Sequence, residues 1–151
     1  MRGLGYRADL ADPRDFALPD PGVDPPPDAS CSHFLGEPLE QGVLNSCSAH
    51  AAAKLIYAGQ RRAGAEDPEP ASRLAIYYLA RAPGRGARWD GGASLRSTFK
   101  GVARLGFCPE RVWPYTDDRA GADLGRARFQ LMPPIEAFRQ SFDQSGQAQR
   151  V

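Results

Sequence analysis

Three stretches of the chain place apolar positions at helical spacing. In CSAHAAAKLIYAGQRRAG, residues 47–64, Ala49, Ala53 and Ile56 recur on one side behind Ser46, an N-cap type of residue, and Gly64 marks a stop. Its alanine content lets neighbouring elements pack close to the backbone. The loop AEDPEP leads to a second predicted helix, ASRLAIYYLARA, with Leu74, Tyr77 and Tyr78 on its apolar side. A third, SLRSTFKGVARLG, sets Leu95, Phe99 and Val102 on one face and Gly106 at the C′ position. A shorter amphipathic piece, PPIEAFRQSF, groups Ile135, Phe138 and Phe142.

Between these stretches the pattern changes. Residues 1–38 are dominated by Pro, Asp and Gly around PDPGVDPPPD, which predicts an extended arm over a surface rather than helix or central strand. Leu4, Tyr6, Phe16, Leu18 and Phe34 give that arm something to bury. PGRGARWDGG reads as a glycine-rich loop. It lacks the pattern of a phosphate cradle, and no strand precedes it. FCPERVWPYTDD carries three aromatic residues across two prolines and predicts an ordered, packed loop, whereas the tail SGQAQRV reads as frayed.

Composition narrows the function classes. A chain of 151 residues has room for one ordinary domain or for part of a larger one. The net charge of +1 gives no electrostatic reason to expect nucleic acid or an anionic membrane as partner. No run approaches the roughly 20 apolar residues that span a bilayer, and the start MRGLGYRADLADPRDF lacks the apolar core of a secretory signal. A cytoplasmic location is the expectation, with a missing upstream export segment as the alternative. Three cysteines, Cys31, Cys47 and Cys108, cannot all pair within one chain, which fits a reducing compartment or one functional thiol.

Cys47 carries the chemical question. A thiol attacks as its thiolate, and a helix N-terminus or a nearby imidazolium lowers its pKa. Cys47 opens the first predicted helix, and Gln41 in the preceding glycine-containing loop places a side-chain amide near its backbone N–H, as an oxyanion site requires. On these features alone, a nucleophile and a small buried cysteine both stay open. So does a metal site: Cys31-x-His33 and Cys47-x-x-His50 supply the ligand types zinc prefers, although Cys-x-His on a proline-rich arm is unusual geometry. His50 lies one helical turn from Cys47 and is expected to point into packing rather than serve as a base; Cys108 reads as a buried thiol.

The segment Gln41-Gly42-Val43-Leu44-Asn45-Ser46-Cys47-Ser48-Ala49 resembles the nucleophile segment of papain-like cysteine peptidases, Q-G-x-C-G-S-C-W-A. Other stretches follow in the order of that family. SRLAIYYLARA resembles the next helix in bacterial members. WDGGASLRSTFKGVARLGFCPERVWPY resembles the double-glycine loop, the helix behind it and a Tyr-Pro-Tyr-like corner. LADPRDF and the arm resemble the lead of members with a short pro-region or none. The resemblance covers roughly residues 5–116.

It implies an α+β papain-like fold, of which this piece is mainly the helical lobe behind an extended Pro-rich arm. Cys47 would be the nucleophile and Gln41 an oxyanion donor. Gly91 and Gly92 would meet the substrate's extended backbone, with Ala93 and Ser94 near the pocket for the second residue before the scissile bond. The expected partner is a peptide or protein substrate, with no nucleic acid, membrane, cofactor or metal. The expected organisation is an arm over 1–38, a nucleophile lobe over 39–120, and the start of a second lobe or a frayed tail over 121–151.

Departures qualify the match. Leu44 stands where many members have a cysteine and Trp89 where its disulfide partner would be; Asn45 replaces a glycine and Ser48 a tryptophan. In papain the His and Asn lie about 130–150 residues beyond the cysteine, past Val151 here. The expectation is a cysteine-type peptidase that lacks its His and Asn together with a C-terminal lobe, and is inactive as this chain alone. The alternatives are a non-catalytic peptidase-like fragment, a peptide-binding protein or a zinc-stabilised module.

Overall fold

The computed structural model describes residues 7–137 apart from 18, 25, 85 and 119–126. Four α-helices order it: α1 (Ser32–Leu35), α2 (Cys47–Arg62), α3 (Arg73–Arg81) and α4 (Leu95–Leu105). All three helices predicted from periodicity are present. Two start as their N-cap residues prescribe: Ser72 Oγ accepts from Ala75 N–H at 3.2 Å, and Ser94 Oγ from Ser97 N–H at 3.1 Å. At the end of α4, Gly106 takes φ +71° and its N–H donates to Val102 O.

Helix α3 is the centre. Leu74, Ala75, Ile76, Tyr77, Leu79, Ala80 and Arg81 are all buried, so it is covered nearly all round rather than along one stripe. Against it lie α2, α4 and a 3-10 turn, Arg128–Gln130. The core joins Leu44, the α2 alanines Ala49, Ala52 and Ala53, the α3 side chains and Phe129. The α2 side of this core is made of small residues, and α2 lies against α3 and α4.

Helix α4 meets α3 with a face rotated from the predicted one. Thr98 is fully buried, while Leu95 and Phe99 are each 38% exposed. The reason is Gly101: a Cβ there would come within 3.3 Å of Leu79 Cβ and 3.4 Å of the Leu79 backbone carbon, so the close approach needs a glycine. Val102, also predicted for that face, does pack against the core.

Other segments depart from the sequence reading. The arm contains α1, seated on α2 through Lys54, whose Nζ donates to Leu35 O at 2.7 Å and to Glu37 O. The glycine-rich loop is wound into two 3-10 turns, Ala82–Gly84 and Gly86–Arg88. Of the predicted C-terminal grouping, Ile135 is exposed and Phe138 and Phe142 lie outside the described residues, as does the tail. Residues 127–137 pack on the helices, with Ala127, Phe129, Pro133 and Ala137 buried.

Pairing of β type is limited, among the described residues, to a bridge between Ala71 and Pro109. Two hydrogen bonds flank it, Ser72 N–H to Cys108 O (2.8 Å) and Glu110 N–H to Pro70 O (2.7 Å). The described piece is therefore helical, and the β-rich part of the expected α+β fold has no counterpart in it. None of its helices is long and apolar enough to cross a membrane.

Candidate active site

Cys47 is the first residue of α2 and is partly exposed. The loop before it, residues 40–46, is fixed from below. Leu44, 1% exposed, plugs it into the core, and Gln41 Nε2 donates to Leu44 O at 2.6 Å, closing the loop on itself. Gly42 turns at φ +61°, a conformation costly for other residues.

Tyr115, from the packed aromatic loop, holds the same segment from the other side. Its hydroxyl donates to Gln41 O at 2.8 Å and lies 2.8 Å from Ser46 Oγ. Ser46 thus occupies the N-cap position without a side-chain cap bond, because its hydroxyl turns to Tyr115.

His50 is 8% exposed, and its ring faces this scaffold. Nδ1 lies 3.0 Å from Ser46 O; Nε2 lies 3.3 Å from Arg73 Nη1. Nε2 also lies 3.2 Å from Glu40 O, so each ring nitrogen faces a backbone carbonyl. Arg73 also donates to Glu40 O at 3.1 Å, pairs with Glu110 at 2.8 Å and stacks 4.2 Å from the Tyr115 ring centre. Burial, aided by the Arg73 charge, pushes the imidazole pKa down. His50 is the helix histidine with local partners that the sequence leads one to expect.

The glycine loop is joined to the Cys47 loop by Asp90. Its Oδ1 accepts from Asn45 N–H at 2.9 Å, and its carbonyl accepts from Asn45 Nδ2 at 2.7 Å. The same Oδ1 takes the hydroxyl of fully buried Tyr77 at 2.7 Å, and that hydroxyl accepts from Gly92 N–H at 3.1 Å. Burial first, and then the bond to Asp90, raises the Tyr77 pKa. Gly91 is exposed, with nothing near where a Cβ would stand, whereas Gly92 is buried at φ +74°. Ala93 is buried, and its carbonyl accepts from Arg7 N–H of the arm at 3.4 Å. The Ser94 hydroxyl is committed to capping α4.

One expectation and one open alternative change here. The helix N-terminus was expected to acidify Cys47; burial outweighs the Ser48 and Cys47 amides, and the thiol pKa is raised. The four Cys and His candidates for zinc do not converge. Cys31 and His33 sit exposed in the arm, His50 faces Ser46 and Arg73, and among the described residues no group of three or more His, Cys, Asp or Glu is placed to hold a metal. Cys108 is buried, with its pKa pushed up to about 11 mainly by burial.

Asp90, Tyr77 and Tyr115 escaped the sequence reading as site residues. Tyr77 carried a core signal, which is correct but hides the work of its hydroxyl. The adjacency of Asp90 to the glycine pair was the one available clue.

Comparison with known proteins gives two relatives. An uncharacterized peptidase C1-like protein of Acanthamoeba polyphaga mimivirus is 30% identical over 103 residues, 68% of this chain and 30% of that protein. The crystal structure of xylellain, a cysteine protease from Xylella fastidiosa, superposes with a TM-score of 0.74 at 29% identity, over 95% of this chain and 56% of that one. The chain thus spans less than two thirds of either relative. No family model matches it.

Proposed function

The chain belongs with the papain-like cysteine peptidases of the C1 type, and from that premise we infer that it is the nucleophile-bearing lobe of an enzyme that cleaves peptide bonds through Cys47. The observation that carries this reading is the placement of a partly exposed cysteine at the first residue of α2, directly after the braced Gln41 loop. In the reaction, the Cys47 thiolate adds to a peptide carbonyl carbon. The oxyanion takes hydrogen bonds from the Cys47 N–H and the Gln41 amide, one of whose two hydrogens is spent on Leu44 O. The C–N bond breaks as the leaving amine gains a proton, and water then hydrolyses the thioester. The substrate's main chain meets the glycine loop at Gly91, where nothing stands in the way of close approach. Gly92, Ala93 and Ser94 shape the wall behind it.

In this reading neither of the two histidines is placed to carry the proton. His50 is locked beneath the site, His33 is on the arm, and the thiol pKa is raised rather than lowered. An imidazole from a second, β-rich lobe completes the site in this reading, and the 151-residue chain does not turn over peptide amides by itself. The raised thiol pKa also favours one alternative, a chain that binds peptides without cleaving them.

A peptidyl epoxide and a chromogenic peptide amide, applied to the purified chain, test both points. Cys47 is expected to label about tenfold faster than the exposed Cys31, through peptide binding, at a rate that climbs with pH beyond 8, and no amide is turned over. Equal labelling of Cys31 and Cys47 overturns the peptidase reading. Rapid labelling at pH 6 with turnover overturns the missing-base reading.

A further inference from the structure

Two loops must keep a fixed spacing if a peptide is to lie against Gly91 and present its carbonyl at Cys47. The positions at which the resemblance puts a covalent link between them carry Leu44 and Trp89. These two side chains part company: Leu44 is 1% exposed in the core, and Trp89 is 74% exposed. The loops are nevertheless joined, one residue further on in each, at Asn45 and Asp90.

We propose that Asp90 and Tyr77 are positioning residues that set the glycine loop in register with the nucleophile loop, through one directional chain of hydrogen bonds. The directions follow from the donors. Gly92 N–H can only donate, so the Tyr77 oxygen accepts it and sends its own hydrogen to Asp90 Oδ1 (3.1 and 2.7 Å). Asn45 N–H can only donate, and it reaches the same Oδ1 at 2.9 Å. A single carboxylate oxygen therefore fixes a backbone amide two residues before Cys47 and, through a buried phenol, the backbone amide of the turning glycine.

A second bond, Asn45 Nδ2 to Asp90 O at 2.7 Å, stops the carboxylate from acting as a swivel, because main chain is held to main chain as well. The anchor is rigid: Tyr77 is 0% exposed in the central helix, and Arg81 lies 3.7 Å over its ring. The Tyr77 hydroxyl, which accepts from Gly92 and donates to Asp90, is a relay whose two bonds strengthen one another. The oxygen it shares with Asn45 couples the loops by position, so displacement of one loop is felt at the other.

This proposal rests on the peptidase reading for its purpose but not for its test. Amide hydrogen exchange of the full 151-residue chain, followed by NMR, reads the coupling directly. In Tyr77→Phe, exchange is expected to rise by about tenfold at Gly92 and also at Asn45, whose amide Tyr77 does not touch. Mid-helix Ala53 is expected to stay within about twofold, and Asp90→Asn, which keeps the Oδ1 acceptor, to lie close to the parent. Acceleration at Gly92 alone, or equal acceleration at Ala53, overturns the proposal. Should Tyr77→Phe fail to fold, Asn45→Ala decides at the partly exposed end: it removes only the Nδ2 bond, and faster exchange at Gly92 is the supporting result.

A second readout addresses register. In Tyr77→Phe, or in Asn45→Ala where the former does not fold, the preference of Cys47 for a peptidyl epoxide over iodoacetamide is expected to fall by about fivefold, with the iodoacetamide rate itself little changed. An unchanged preference overturns the register role. A parent chain with no preference sinks the peptidase reading, and the exchange result then still decides the coupling.

Discussion

The guanidinium of Arg81 lies 3.7 Å from the centre of the Tyr77 ring, one helical turn back along α3, and it is buried with no carboxylate bonded to it among the described residues. Its donors go to carbonyl oxygens instead: Tyr77 at 3.0 Å, Gly86 at 3.3 Å, Ala87 at 2.9 Å, Trp89 at 2.6 Å and Phe129 at 2.7 Å. One side chain thereby winds the glycine-rich loop that leads to Asp90 and ties it to residues 127–137.

Replacing this fork strands its acceptors. Arg81→Met is expected to destabilise the chain by about 3–5 kcal/mol, since each buried carbonyl left without a donor costs roughly 1–3 kcal/mol. Arg81→Lys keeps the charge but not the fan of donors, and it falls between the two. Urea unfolding followed by circular dichroism measures both. A loss under 1 kcal/mol for the methionine variant would show that water takes over the loop carbonyls.

Gly42 is a second sensitive point, for steric reasons. Its φ of +61° costs an L-residue about 1–2 kcal/mol. A Cβ built there would also stand 2.0 Å from Asp117 Oδ2 and 2.8 Å from Asp117 Cβ. Rotating the aspartate clears the first contact but not the second. Gly42→Ala is therefore expected to lower stability by about 2 kcal/mol. Adding Asp117→Gly, which removes that Cβ, recovers the contact part and leaves the backbone part. Thermal melts of the single and double variants separate the two.

Acid should weaken the brace beneath Cys47 through His50. The imidazole pKa is depressed in the folded chain, chiefly by burial, with Arg73 opposing protonation and Glu110 favouring it. Unfolded chains therefore bind more protons below the ordinary value of 6.5, and stability is full above that pH and declines as pH falls through it toward the lower folded pKa. Asp9, Asp12 and Asp15 have lowered pKa values, so their contributions fade only in a more acidic range. The Tm is expected to drop between pH 7.5 and about 5, and the His50→Asn chain to show a flatter profile.

What could be read from the residues has a common character. Ser72 and Ser94 announce helix starts, Gly106 announces an end, and the spacing of Leu74 and Tyr77 announces an inward face. Each depends on neighbours within a turn or two of chain. The Gln41-to-Cys47 segment stood out for a similar reason, because an oxyanion site of the proposed kind needs particular residues at short spacing. The rotation of α4 was not legible: its closest approach is made by Gly101, and a hydrophobic pattern gives no weight to a residue without a side chain. Nor was the partnership of Ser46, whose hydroxyl turns from its own helix to Tyr115, 69 residues away.

By itself, then, the sequence determined where the three longer helices lie, which cysteine opens one of them, and what chemistry the residues before it suit. These follow from local propensity, capping and spacing. Tertiary structure alone decided that burial raises the Cys47 thiol pKa, that His50 faces Arg73 and Ser46, and that Asn45 meets Asp90 across 45 residues of chain. Desolvation and long-range hydrogen bonding depend on which surfaces the packed helices bring together, and that is set by the whole core at once.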